Sequence, residues 1–421
     1  MNQDTTNQKF LNQENMTQTE KRIIEEVEAG REDFVQFFRK LVMTKSFTKQ
    51  EQEVAQLLAE GLKERGMKDV RIIGPAPDRP NVVAVYKGIE DGPTCTFNGH
   101  LDVLPPQEEN LWPHKPFAGD IEDGKLYGRG TVDMKSGTFS SFFAGLVMER
   151  LQLPIRGRVV FTGVCDELVC GDQGILYLLK EGVIRKEHPE DFGINCEPTN
   201  LEEMNMATKG VMRADVTVIG KGAFNARPYL GVSAIDQSAK FIQSIQQLNA
   251  DIASDPAWSH PLLEPRSVQV AMIQGGEASN LVPERVKMTV TRRLHPGETL
   301  EDCMKDYEEI FETLHAEDER FRAEIRPWDG FRPPVEVPMD TPVAAAVARA
   351  LKLVTGKELA LTGSEGGTDA SHVVAQTGIP MPVFGPGDHR LLGTVDECVP
   401  LDDFINAIKI YALTVYYMLG A

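Results

Sequence analysis

The sequence predicts an α/β protein of two domains: a larger one on a mostly parallel central sheet, and a smaller α+β domain inserted into it. Three observations carry that expectation. At 421 residues the chain exceeds what one hydrophobic core usually fills. Short runs rich in β-branched residues alternate with helical stretches, the pattern of strands joined by crossover helices. One interior segment then breaks that alternation with a rhythm of its own.

In order along the chain, MNQDTTNQKFLNQENMTQTE is polar and rich in Gln, Asn and Thr, without the basic and apolar stretches of a secretory signal. Residues 1–19 therefore read as a disordered leader. From Glu20 to Val42 and from Gln50 to Arg65 apolar residues recur at helical spacing, and Gly66 stands where a helix would stop. Strands are expected at Asn81–Tyr86, Thr94–Asn98, Val159–Gly163 and Phe192–Cys196, with helices at Ser136–Leu151 and Gly174–Glu181. Residues 209–326 read strand (Val211–Ile219), helix (Ala234–Ala250), strand (Ser267–Gln274), strand (Arg285–Arg292), helix (Leu300–Ala316) and strand (Arg322–Arg326). That order is ferredoxin-like. Pro327, Gly330, Pro333, Pro334 and Pro338 mark the return, so residues 20–208 and 327–421 form the larger domain around the insert.

Composition narrows the functional classes. With 41% hydrophobic and 25% charged residues and no apolar run near the ~20 residues that span a bilayer, a membrane role is not expected. A formal charge of −19 repels a phosphate backbone, so nucleic acid is not an expected partner. The six cysteines form no C-x-x-C pair and are too sparse for a disulfide framework, which points to reduced thiols in the cytoplasm.

Four acidic or histidine-bearing elements follow strands or open a helix. Gly99-His100-Leu101-Asp102 sets an imidazole at a strand end, where α/β sheets bind ligands, with a carboxylate two residues on that can fix its second nitrogen. Taken alone, a histidine is more often a structural residue. Asp133, in GRGTVDMKSG ahead of an apolar helix, also fits a helix N-cap. Asp166-Glu167 and Cys196-Glu197 each follow a strand, and each taken alone fits a solvated loop charge. Four such groups at one sheet edge can converge.

These motifs, with NLVPE (280–284), RRLHPGE (292–298), GGTDASH (366–372) and FGPGD (384–388), resemble those of the zinc-dependent acetylornithine deacetylase, succinyl-diaminopimelate desuccinylase and aminoacylase family, over residues 20–421. The resemblance implies a metallopeptidase-like larger domain, an inserted lid through which two copies dimerise, and hydrolysis of an amide bond in an N-acyl amino acid or small peptide. It places His100, Asp133 and Glu197 as metal ligands, Asp102 as the residue orienting the histidine, and Glu167 as general base. Asn280, Arg293, Gly367 and Thr368 fall where the family binds carbonyl and carboxylate oxygens of a small substrate.

The sequence departs from the family at three positions. Leu168 stands where the family has a second acidic ligand, Gly393 where it has a ligand histidine, and Phe224 where a histidine steadies the tetrahedral intermediate. Both lost ligands serve the same ion. One Zn²⁺ per subunit is therefore expected, with Co²⁺ or Mn²⁺ as substitutes. His372, His389 and the cysteines Cys165, Cys170 and Cys196 remain open as replacement donors or as ordinary loop and core residues. A non-hydrolysing relative that binds a similar carboxylate ligand stands as the alternative, because a missing oxyanion donor alone can cost about 10²–10³ in rate.

Overall fold

A computed structural model describes residues 16–421. Residues 1–15 of the expected leader lie outside the described residues, and its last part is helical. Helix α1 runs Gln18–Ala29 and opens on a capping box, in which Thr17 accepts from the Glu20 amide and the Glu20 carboxylate accepts from that of Thr17. The single helix expected to Val42 divides at Gly30, and α2 runs Arg31–Met43. Helix α3 spans Gln52–Glu64.

The chain divides into two compact units, one of residues up to Met206 with Val337–Thr362 and Thr368–Ala421, the other of Ala207–Glu336 with Gly363–Gly367. The second unit is thus wider than residues 209–326. Val211 pairs with Arg332, and the Lys209 amide donates to the carbonyl of Ser364, which draws flanking chain into it.

In the first unit, β1 (Asp69–Ile73), β2 (Asn81–Lys87), β3 (Glu90–His100), β4 (Arg156–Val164) and β5 (Phe192–Asn195) form a sheet in the order β1-β2-β4-β3-β5. β3 pairs parallel with β4 and β5, whereas β1–β2 and β2–β4 are antiparallel, so the sheet is mixed. Only Gly88 and Ile89 join β2 to β3, which runs opposite in direction to β2 but is not its neighbour, because β4 lies between them. On one face Val83, Val85, Val160 and Val164 pack with Ile175, Leu178 and Val373. Against the other lies α4 (Ser136–Leu151), buried from Ser136 to Met148 and packed also on the helix Leu401–Leu419. A Cβ at Gly137 would come within 1.8 Å of the Cys196 carbonyl oxygen, so glycine lets the first turn of α4 seat directly on the chain leaving β5.

In the second unit, β6 (Gly210–Ile219), β7 (Ser267–Gly275), β8 (Arg285–Leu294) and β9 (Ala323–Pro327) form an antiparallel sheet in the order β7-β8-β6-β9. With the helices Ala234–Ser254 and Leu300–Glu317 in the crossovers this is the ferredoxin-like arrangement. Alternate residues Met212, Ala214, Val216 and Val218 on β6 and Val286, Met288 and Val290 on β8 turn inward onto Phe241, Ile245, Tyr307 and Leu314.

Candidate metal centre

The site forms where β4, β3 and β5 end together. Val164 is the register partner of His100 and Asn98 that of Asn195, so the chain leaves all three strands at one edge. His100 closes β3, Glu167 follows β4 and Glu197 follows β5. One ligand atom from each of these three lies within 4.8 Å of the others, the only such cluster of metal-binding side chains among the described residues.

His100 is fully buried, and its Nδ1 lies 2.8 Å from the main-chain oxygen of Asp102. A carbonyl oxygen can only accept, so Nδ1 carries the proton, and in the neutral ring Nε2 presents its lone pair. Around Nε2 stand Asp133 Oδ1 at 3.0 Å, Glu197 Oε1 at 3.7 Å and Glu167 Oε2 at 3.9 Å. Ligand atoms bonded to one Zn²⁺ at about 2.1 Å sit roughly 3–4 Å apart, so His100 with Glu167 and Glu197 can share a divalent ion, while Asp133 meets the same Nε2 at 3.0 Å but lies outside that mutual cluster. Burial opposes a charge on His100, but the hydrogen bonds its ring donates to Asp102 and Asp133 and the charges of Glu167 and Glu197 outweigh it and hold its pKa well above the ordinary value. Glu197 is pushed well above the carboxylate range, first by burial; His100 counteracts, while Asp133, Glu167 and Asp369 add to the rise. A cation at this point relieves both strains.

Asp102 does more than the sequence suggested. Its carboxylate stands 3.4 Å from Nδ1, farther than its own main-chain oxygen. The same carboxylate accepts from the amides of Glu167 at 3.2 Å and Leu168 at 3.1 Å and from the Thr48 hydroxyl at 2.9 Å. Burial works against its charge, yet His100, the Thr48 hydroxyl and the Leu168 amide bring its pKa below the usual range.

Asp133 is not a helix N-cap. It lies in a non-helical kink three residues ahead of α4, with φ −106° and ψ 93°. The kink is tied down by Lys135, whose buried ammonium donates to the carbonyls of Leu41 and Thr44 at the end of α2. It is also tied down by Glu397, a fully buried carboxylate that sequence reasoning missed. Its only signal was an acidic residue opening the short strand Cys398–Pro400 that pairs with Lys125–Tyr127.

Thr368 is buried in the first unit, where its Oγ1 accepts from the Ala370 amide at the start of the helix Ala370–Thr377. Asn280, Arg293 and Gly367 belong to the second unit. There the Asn280 carbonyl accepts from the Asn225 amide, and the Gly367 carbonyl accepts from Arg332. Arg293 lies on the open face of β8, while its neighbour Arg292 points inward to Glu298 and Asp306. Phe224 is 60% exposed, opposite Leu281. His389 is exposed and His372 is buried in its helix; neither belongs to the cluster. Burial raises the thiols of Cys165 and Cys196, the latter to about 12, which disfavours thiolates there.

A family model described as Peptidase family M20/M25/M40 matches residues 96–417. The chain is 27% identical over 383 residues to a succinyl-diaminopimelate desuccinylase of Methylorubrum extorquens, covering 88% of this chain and 95% of that one. It is 30% identical over 347 residues to the acetylornithine deacetylase of Myxococcus xanthus, covering 82% and 85%. The fold is similar to that of an M20 family metallo-carboxypeptidase from Sulfolobus solfataricus, with TM-score 0.74 at 18% identity over 92% of this chain and 98% of that one.

Removing the Asp102 carboxylate strands the Glu167 and Leu168 amides, at about 1–3 kcal/mol for each buried donor left without a partner. Asp102→Ala should therefore lower the midpoint of urea unfolding and weaken metal binding by about 10–100-fold. A variant with wild-type values in both measurements would contradict this account of the anchor.

Proposed function

The chain belongs to peptidase family M20/M25/M40, a family of metal-dependent hydrolases of amide bonds, and from that premise we propose the finer chemistry of its site. His100, Asp133 and Glu197 hold one Zn²⁺, for which Co²⁺ or Mn²⁺ can substitute, and Glu167 is the general base. The observation that carries this reading is the shared anchor: Asp102 holds the imidazole of His100 and the turn bearing Glu167, so ligand and base are set against each other by one carboxylate.

When bound, the ion supplies a Lewis acid that polarises the amide carbonyl and makes water more acidic. Glu167 accepts the proton of the attacking water and returns it to the departing amine nitrogen, so that the C–N bond breaks to a carboxylate and an amine. Its carboxylate is buried, which keeps bulk water from competing for that proton. Asn280, Arg293, Gly367 and Thr368 bind carbonyl and carboxylate oxygens of an N-acyl amino acid or small peptide; the planar guanidinium of Arg293 suits a carboxylate. The relatives named for removing succinyl and acetyl groups support an N-acyl substrate. Retention of Glu167, Asp102 and the set His100, Asp133 and Glu197 supports hydrolysis over the non-hydrolysing alternative that Phe224 raises.

Glu167→Gln keeps the shape and removes the proton-accepting charge. Turnover on an N-acyl amino acid panel should fall by about 10²–10⁴-fold while the protein still copurifies with metal. Turnover near the wild-type rate would eliminate Glu167 as the base.

The metal count follows from the two departures. Leu168 and Gly393 offer no donor side chain, so a second ion would have only Asp133 and water. Metal analysis and calorimetric titration should give a stoichiometry near one, and Leu168→Glu with Gly393→His should raise it toward two. Gly393 has φ +68°, so the histidine is introduced against some backbone strain. Two tightly held ions in the unmodified protein would refute the single-site reading.

The protein acts in the cytoplasm as a homodimer joined through the second unit. Its edge strand β7 leaves Met272 and Ile273 66% and 58% exposed, an apolar strip that a second copy can cover. Light scattering should report twice the mass of the 46.7 kDa chain. A monomer across the micromolar range would count against it.

A further inference from the structure

We propose that Glu397 is a positioning residue for the metal centre: its carboxylate fixes the loop that carries Asp133 and so sets how tightly the ion is held. The inference rests on Asp133 being a ligand.

Helix α4 begins only at Ser136, so the amides of the preceding kink are not all served by a helical ladder. Glu397 takes up that role. Its Oε1 accepts from the Val132 amide at 2.7 Å and the Asp133 amide at 3.0 Å. Its Oε2 accepts from the Gly130 amide at 3.2 Å and from Arg129 Nη1 at 2.7 Å. All four partners are donors, and Glu397 has no exposed surface. Only an acceptor on both oxygens satisfies them; a glutamine would turn an NH₂ group toward two donors. The main chain repeats the grip, because the carbonyl of Glu397 accepts from the Gly128 amide at 2.9 Å and Cys398 pairs with Tyr127.

Gly393, where the resemblance leads one to expect a ligand histidine, lies on the same segment. Its carbonyl accepts from Arg129 Nη2 at 3.1 Å, and the guanidinium lies 4.9 Å from the centre of the Trp112 ring. The segment that lacks a ligand side chain thus still brackets the loop bearing one. The grip reaches the Asp133 amide itself, and the side chain of that residue stands 3.0 Å from His100 Nε2. Displacement of this backbone shifts a ligand directly, in the way that outer partners of metal ligands tune affinity.

The test is Zn²⁺ competition against a chromophoric chelator, with the visible spectrum of the Co²⁺ form as second readout, on wild type, Glu397→Gln, Asp133→Asn and the double variant. Glu397→Gln should bind Zn²⁺ about 10–100-fold more weakly and show an altered Co²⁺ spectrum. The double variant should bind no more weakly than Asp133→Asn, because both changes remove the same ligand contact. If Glu397→Gln does not accumulate as folded protein, Arg129→Met, which leaves the carboxylate in place and removes one donor, is measured in its stead and should also bind more weakly. Wild-type affinity and spectrum in the folded variant, or additive losses in the double variant, would overturn the role of Glu397. Wild-type affinity in Asp133→Asn would instead remove the ligand assignment on which it rests.

Discussion

The centre depends on one buried carboxylate. Asp102 has no exposed surface and contacts three pieces of chain at once: the His100 ring at the end of β3, the Glu167–Leu168 turn after β4, and Thr48 beyond α2. A buried anion persists only where donors surround it. Here those donors include the backbone of the turn bearing Glu167, so the stabilisation of the anion and the placement of Glu167 are one set of contacts. The main-chain oxygen of the same residue fixes the imidazole tautomer.

From that anchor the electrostatics follow. Asp133, Glu167 and Glu197 crowd one imidazole nitrogen, with Asp369 adding to the negative field on Glu197. Carboxylates brought this close in a shielded site repel one another unless a cation compensates. Without one, His100 is driven toward its charged form and Glu197 toward its neutral form, two opposite responses to the same excess of negative charge. A divalent ion held here would replace both protons, which would link metal affinity to the pKa values of His100 and Glu197.

Much of this was legible in the sequence because the chemistry sits at strand ends. His100, Glu167 and Glu197 each stand at or just past the end of a strand expected from the sequence, and α4 spans Ser136–Leu151 as its apolar pattern indicates. The strand–helix order of the second unit was legible for the same reason, since alternation on β6 and β8 reports a half-buried sheet. Pairing was less so: periodicity locates strands but not their partners, and the antiparallel β1–β2 and β2–β4 ladders appear only with the tertiary fold. Glu397 was hidden for a related reason. An acidic residue in VDECVPL has no local mark of burial, and its four donors come from residues 129–133, more than 260 positions away.

The departures from the family's ligand pattern take on a common physical sense against this frame. Leu168 lacks the carboxylate that the resemblance leads one to expect, yet its amide still donates to Asp102 and helps hold the turn that bears Glu167. Gly393 lacks the imidazole, yet its carbonyl still receives Arg129, which in turn meets Glu397. In both places the side-chain function has gone and the main-chain function remains, because backbone groups can keep their hydrogen bonds whatever the side chain. On the proposed assignment, a second ion could be absent without dismantling the first site, because Asp102 and Glu397 hold the Glu167 turn and the Asp133 loop through backbone amides.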